Sequence, residues 1–171
     1  MKAHNGMRPH DVVVLLKILI MNEQPWQYRD LSASLHIAIS EIAESLNRSH
    51  MAGLIDQTKR KVSRQSLMEF IEHGLHYVFP QLPGPMVIGY PTGLSHPFYK
   101  TKFSSELEYV WPDDENGFVR GQMILPLYKN ASKASQADQR LYKMLASIDI
   151  IRVGKNREIT VALQELKKEI L

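Results

Sequence analysis

From Val12 to Met21 every position but Lys17 is apolar, within a run from Pro9 to Glu23. Val12, Leu15, Leu16 and Leu19 fall on one helical face, and Val13, Val14, Ile18 and Ile20 fill the others. Pro9 suits a first helical turn, where its missing N–H is not needed, and Asp11 suits the positive end of the helix dipole. The run is long for a strand, so the pattern predicts a helix. A helix apolar all round is covered on more than one side. The expectation is a surface beyond its own unit, met by a homodimer that buries part of this helix.

Pro25 and Trp26 break the element. A short helix is predicted from Gln27 to Leu35, with Tyr28, Leu31 and Leu35 on one side. His36-Ile37 forms a tight connection to a second helix, Ala38 to Ala52. Its spacing puts Ile39, Ile42, Leu46 and Ser49 inward, and Ser40, Glu41, Glu44, Asn47 and Arg48 on the opposite face. Gly53 supplies a left-handed stop, and Leu54-Ile55 begins an extended segment. Asp56 to Lys61 is a polar turn, after which Val62 returns towards the core.

The stretch Trp26-Gln-Tyr-Arg-Asp-Leu-Ser-Ala-Ser-Leu-His-Ile, then Ala38-Ile-Ser-Glu-Ile-Ala-Glu-Ser-Leu, closing on Ala52-Gly-Leu-Ile-Asp56, resembles a winged helix-turn-helix. Among such domains it is most similar to MarR-type bacterial transcription regulators. The resemblance covers about residues 9–65. Leu31-Ser-Ala-Ser-Leu35 sits where that family has the first helix of the motif, and Ala52-Gly-Leu-Ile matches its exit from the recognition helix into the wing. The wing here, Gln57 to Val62, is short and lacks the family's Asp-x-Arg. Nothing after residue 66 resembles the family's long dimerisation helices.

Beyond the wing, Ser63 caps a predicted helix to His73 with Leu67, Phe70 and Ile71 inward. Tyr77 to Pro97, rich in Pro and Gly, reads as extended and irregular. Asn116-Gly117 is a turn signal between Leu107–Trp111 and Phe118–Leu125, so a β-hairpin is expected. Ser135-x-x-Asp138 resembles a capping box ahead of Leu141, Leu145 and Ile148, in a helix ended by Gly154. Ile159, Ala162, Leu163, Leu166 and Ile170 mark a final amphipathic helix. The expected fold is mainly α (α+β): a winged helix-turn-helix over residues 1–66, then a smaller helical region with a hairpin over 67–171.

Composition narrows the function. The chain has 171 residues, 44% hydrophobic and 23% charged, with no cysteine and a net charge of +3. Thiol nucleophiles, thiolate metal sites and disulfides are excluded. The longest apolar run, Val12 to Met21, is ten residues with Lys17 inside it, against the ~20 a membrane span needs. No small-residue cleavage site follows that run, so a signal peptide is not expected and the location is read as cytoplasmic. Residues 1–66 carry nine Lys/Arg and six Asp/Glu, whereas 67–171 carry twelve of each. The positive excess therefore lies entirely in the first third, and four of the six residues from Lys59 to Arg64 are basic.

That charge beside the motif points to double-stranded DNA. A major groove admits one α-helix, so Ser40, Glu41, Glu44, Asn47 and Arg48 are candidate base-reading residues. Two carboxylates facing a polyanion are unfavourable unless they accept from cytosine or orient Arg48. Lys59, Arg60, Lys61 and Arg64 are candidate phosphate contacts, with Gln27 and Tyr28 adding backbone hydrogen bonds. The expectation is a sequence-specific transcriptional regulator, with residues 67–171 serving dimerisation, a small-molecule effector, or both. A winged-helix protein-interaction module, antitoxin-like in masking a partner, is the alternative. Glu69, Glu72, His73 and His76 share a helical face, as a weak metal-dependent enzyme would need, but Gly74 interrupts it. Arg152, Lys155 and Arg157 flank Gly154 and could hold an anion or an acidic partner. No Gly-x-Ser-x-Gly, P-loop, dinucleotide fingerprint or His-Glu-x-x-His occurs. No catalytic residue, cofactor or metal is expected.

Overall fold

Val12 to Leu16 are all at 0% exposure in α1 (Pro9–Met21), so an all-round apolar sequence becomes all-round burial. The cover comes from the same chain. In this computed structural model, which describes residues 6–21 and 24–171, α1 is packed by α2 (Tyr28–Leu35), α3 (Ile39–Met51) and α8 (Gln139–Val153). A second copy is therefore not needed to cover α1, which corrects the basis on which a homodimer was expected. Asn22 and Glu23, the predicted end of the helix, lie outside the described residues.

The architecture is mixed α/β, 56% helical with a small three-stranded sheet. No helix among the described residues is long and apolar enough to cross a membrane. Both helices after α1 keep their predicted cores: Leu31 and Leu35 in α2, and Ile42, Leu46 and Ser49 in α3, are fully buried. Ile39 is not: expected inward, it is 52% exposed at the first residue of α3. The α2–α3 turn is made by His36 at φ 56°, and Gly53 closes α3 at φ 77°, the left-handed stop its position predicts.

After α3, Leu54 to Ser63 doubles back as a minimal antiparallel ribbon. Ile55 bridges Val62, Asp56 N donates to Lys61 O at 2.9 Å, and Ser63 N donates to Leu54 O at 2.8 Å. α4 (Arg64–His73) and α5 (Leu75–Val78) follow, and α4 packs on α9 (Asn156–Ile170). The division expected after residue 66 thus falls inside α4. One continuous apolar cluster takes residues from both sides of it.

The predicted hairpin is replaced by a different sheet. β1 (Met86–Pro91) lies in the stretch read as irregular, and β2 (Tyr109–Pro112) and β3 (Val119–Met123) both run antiparallel to it. Consequently β2 and β3 are parallel to each other, and each strand pairs with both others. Six residues, Asp113–Phe118, are a short link for parallel neighbours. The link suffices because Gly89 of β1 pairs with both Pro112 and Val119, at its two ends. A Cβ at Gly89 would stand 2.0 Å from the Trp111 carbonyl oxygen, so closure requires glycine there.

Against this sheet lies α8, buried from Leu141 to Arg152 except at the half-buried Lys143. Asp149, 1% exposed, accepts from Thr92 Oγ1 at 2.6 Å, Trp111 Nε1 at 2.7 Å and Arg152 Nη1 at 3.0 Å. Arg152 also donates to the carbonyls of Phe79 and Leu125. It is therefore a buried strut and cannot hold an outside anion; Lys155 and Arg157 remain exposed.

At its other end α8 is capped by Asp138, which accepts from Leu141 N at 3.0 Å and from Lys17 Nζ of α1 at 2.6 Å. Ser135, expected to be the capping residue, is buried inside the preceding α7 (Ala131–Ala137). α6 (Pro97–Lys100) completes the helices of the described residues. Asp138→Ala removes both the cap and the tie to α1, so urea unfolding should show a loss of about 1–2 kcal/mol. A loss below the error of the measurement would mean that neither contact persists in solution.

Candidate nucleic-acid interface

α3 presents Ser40, Glu41, Glu44 and Asn47 together on an exposed face, as its periodicity predicts. Arg48 does not join them. Its guanidinium turns inward to Asp11 of α1, with Nε to Oδ2 and Nη2 to Oδ1 both at 2.8 Å. Asp11 is at 0% exposure and Arg48 at 8%, so this is a buried two-pronged ion pair. Donating to the Asp11 carboxylate holds the Arg48 proton more firmly than usual. His10 Nε2 stands 3.2 Å from the same guanidinium, and burial makes His10 harder to protonate. Arg48 is corrected from an outward residue to one that fixes α3 on α1.

The ribbon tip is organised by Asp56. Its carboxylate accepts from the backbone N–H groups of Lys61 and Arg60, each at 2.9 Å, and from Thr58 Oγ1 at 2.7 Å. The Lys61 N–H, then the Thr58 hydroxyl, pull its pKa down to about 2. Lys59 takes a left-handed φ of 59°, and its Nζ donates to Asn47 Oδ1, tying the ribbon to the exposed face of α3. Those two predicted residues are brought together although twelve positions separate them.

The other cations are placed less uniformly. Arg60 lies over the Trp26 ring at 4.3 Å and the Tyr28 ring at 5.7 Å, and donates to the Trp26 carbonyl at 2.7 Å. Lys61 is exposed, whereas Arg64 is half-buried and donates to the Ile170 carbonyl at the end of α9. Gln27 is the cap of α2, its N–H donating to Asp30 Oδ2 at 2.7 Å. Tyr28 stacks on Trp26 with centroids 6.3 Å apart. Trp26, read in sequence only as a helix breaker, is thus the seat of Arg60; an aromatic two residues before a helix gives no signal of that role.

The four residues of the possible metal face are not assembled. α4 ends at His73, His76 lies in α5, and Glu72 is paired with Lys167 at 3.1 Å. No group of three or more metal-ligating side chains occurs among the described residues. Comparison with protein-family models, curated proteins and solved structures gives no match to this chain.

Proposed function

We propose that residues 9–66 form a winged helix-turn-helix and that the chain is a sequence-specific double-stranded DNA-binding transcriptional regulator. The observation that carries this is the Lys59–Asn47 contact, which joins the exposed face of α3 and the basic ribbon into one surface. In this reading α3 enters the major groove and the ribbon meets the phosphate backbone. Ser40 and Asn47 are the base-reading residues, Glu41 and Glu44 accept from cytosine amino groups, and Lys59 and Lys61 neutralise phosphates. Arg48 takes no part. A two-fold dimer on a pseudo-palindromic site belongs to the proposal, through a surface other than α1.

A second reading rests on Ile39 and Met51, 52% and 66% exposed at the two ends of α3. With Glu41 and Glu44 between them, they form a face suited to a basic, partly apolar protein partner. Selection from random duplex DNA by the purified chain decides between the two. Asn47→Ala should then cost about 1–3 kcal/mol on the selected site and little on random DNA. Replacing Lys59 and Lys61 by Ala should weaken all duplexes alike and reduce the salt slope by roughly 0.9 per lost contact. No DNA retention at low salt would remove the regulator and leave the protein-interaction module.

A further inference from the structure

Beside the ribbon's root, Ile18, Leu19 and Val62 floor a cavity of about 210 Å³ walled by Trp26, Arg60, Lys61 and Arg64. A more open cavity of about 420 Å³ continues from it past Gln24 and Pro25, sharing Trp26, Arg60 and Lys61. Its lining is cationic. Eight Lys and Arg side chains are paired with carboxylates and twelve show no such pair among the described residues, and three of those twelve meet here. Arg60, Lys61 and Arg64 have no carboxylate partner among the described residues, and no carboxylate of the described residues lines either cavity. Arg60 and Arg64 each spend one N–H on a carbonyl, at 2.7 and 2.9 Å, and a guanidinium has five to give.

We propose that this concavity binds a nucleoside monophosphate, with the phosphate on Lys61 and Arg64 and the base against the Trp26–Arg60 stack. Three cations at one site exceed what a single carboxylate balances, whereas a phosphate monoester carries about −1.5 to −2 at neutral pH. Planar aromatic and guanidinium surfaces hold bases by stacking. The apolar floor excludes a bare inorganic anion as the best fit. The smaller cavity lies below the roughly 300 Å³ of pockets that take drug-sized ligands, so it suits one ring system rather than a longer molecule. Duplex DNA supplies the same phosphate chemistry but keeps its bases paired, out of reach of a recessed ring. The site therefore goes beyond the DNA reading and does not rest on it.

The test is calorimetric titration of the full chain with AMP at low salt, without DNA, with adenosine and inorganic phosphate as separate arms. AMP should bind at about one per chain, with adenosine and phosphate each at least tenfold weaker. Trp26→Leu should weaken AMP binding roughly tenfold or more, the scale of one lost stacking contact. Lys61→Glu, at an exposed side chain whose change leaves the core untouched, should do the same and keeps the test valid should Trp26→Leu unfold the ribbon. Tryptophan emission should respond as well, since Trp111, the second of the two tryptophans, is 1% exposed. Absence of AMP binding at millimolar concentration overturns the proposal. So does inorganic phosphate binding as tightly as AMP, which makes the cations a simple phosphate contact. Because the AMP arm contains no DNA, its failure leaves the regulator reading standing, and loss of DNA retention leaves this site standing.

Discussion

Arg48→Met should destabilise the protein by about 3–5 kcal/mol in urea unfolding, because it strands the Asp11 carboxylate without a counter-charge. Asp11 is at 0% exposure and accepts two hydrogen bonds from Arg48 at 2.8 Å, so water cannot replace the lost partner. The double variant Asp11→Leu/Arg48→Met should recover most of that loss. Burying two charges costs nearly what their attraction returns, and an apolar pair of similar volume avoids the cost. A single variant within about 0.5 kcal/mol of the parent would mean that the pair is open in solution. The cycle also bears on the surface of α3. If Arg48 only positions that helix, Arg48→Met should weaken every duplex to the same degree, in contrast to Asn47→Ala.

Arg48 shows where periodicity stops being informative. Glu41, Glu44 and Arg48 are spaced to share a face, but Ser45 and Ser49 on either side of Arg48 are fully buried. Arg48 thus sits at the edge of the apolar stripe, where a long side chain can turn either way. Its direction is set by Asp11, thirty-seven positions earlier, which the sequence presents only as a residue suited to a helix start. Local signals did carry α2, α3, the Gly53 stop and the Asp56–Lys61 turn, because each depends on residues within one or two turns of chain. The contact of Asn47 with Lys59 is not among them: the sequence reading assigns the two to separate parts of a duplex, and their meeting depends on how the ribbon folds back against α3.

The misread elements all depend on distant partners. α1 implied an external cover because α8, which supplies much of it, holds Lys143, Ser147, Asp149 and Arg152 and does not look like a buried helix. Three of those polar groups are buried by pairing, Asp149 with Arg152 and Ser147 with Tyr99 at 2.6 Å, whereas Lys143 is half-buried and pairs with Glu165. The hairpin failed for a similar reason. Asn116-Gly117 does mark a turn, but both flanking strands pair with β1, whose residues lie 19 to 36 positions upstream of their partners, among prolines and glycines. Turn chemistry specifies a reversal; it does not specify which strand the reversed chain will meet.

Lowering the pH from 7 to 4.5 should remove roughly 2 kcal/mol of stability through His96 alone. His96 is 7% exposed, its ring 4.2 Å from that of Tyr142; Nδ1 accepts from Phe98 N and Nε2 has no hydrogen-bond partner. Burial, and secondarily the charge of Lys143, lower its pKa from 6.5 to about 4. The folded state therefore binds the proton more weakly than the unfolded chain. Its contribution is complete above pH 6.5, declines as the pH falls, and is exhausted below about 4. Asp56 acts in the same direction but lower, from about 3.8 down to about 2, so it adds little within this window. His10 shares the window because burial lowers its pKa too, and it needs its own control. His96→Asn retains an oxygen able to accept from Phe98 N and removes the titration. Urea midpoints at pH 7 and 4.5 should therefore converge in His96→Asn relative to the parent, with His10→Asn measuring the remainder. An unchanged pH dependence in His96→Asn would show that the ring is already solvated in the native protein, and that the stack with Tyr142 does not keep water from Nε2.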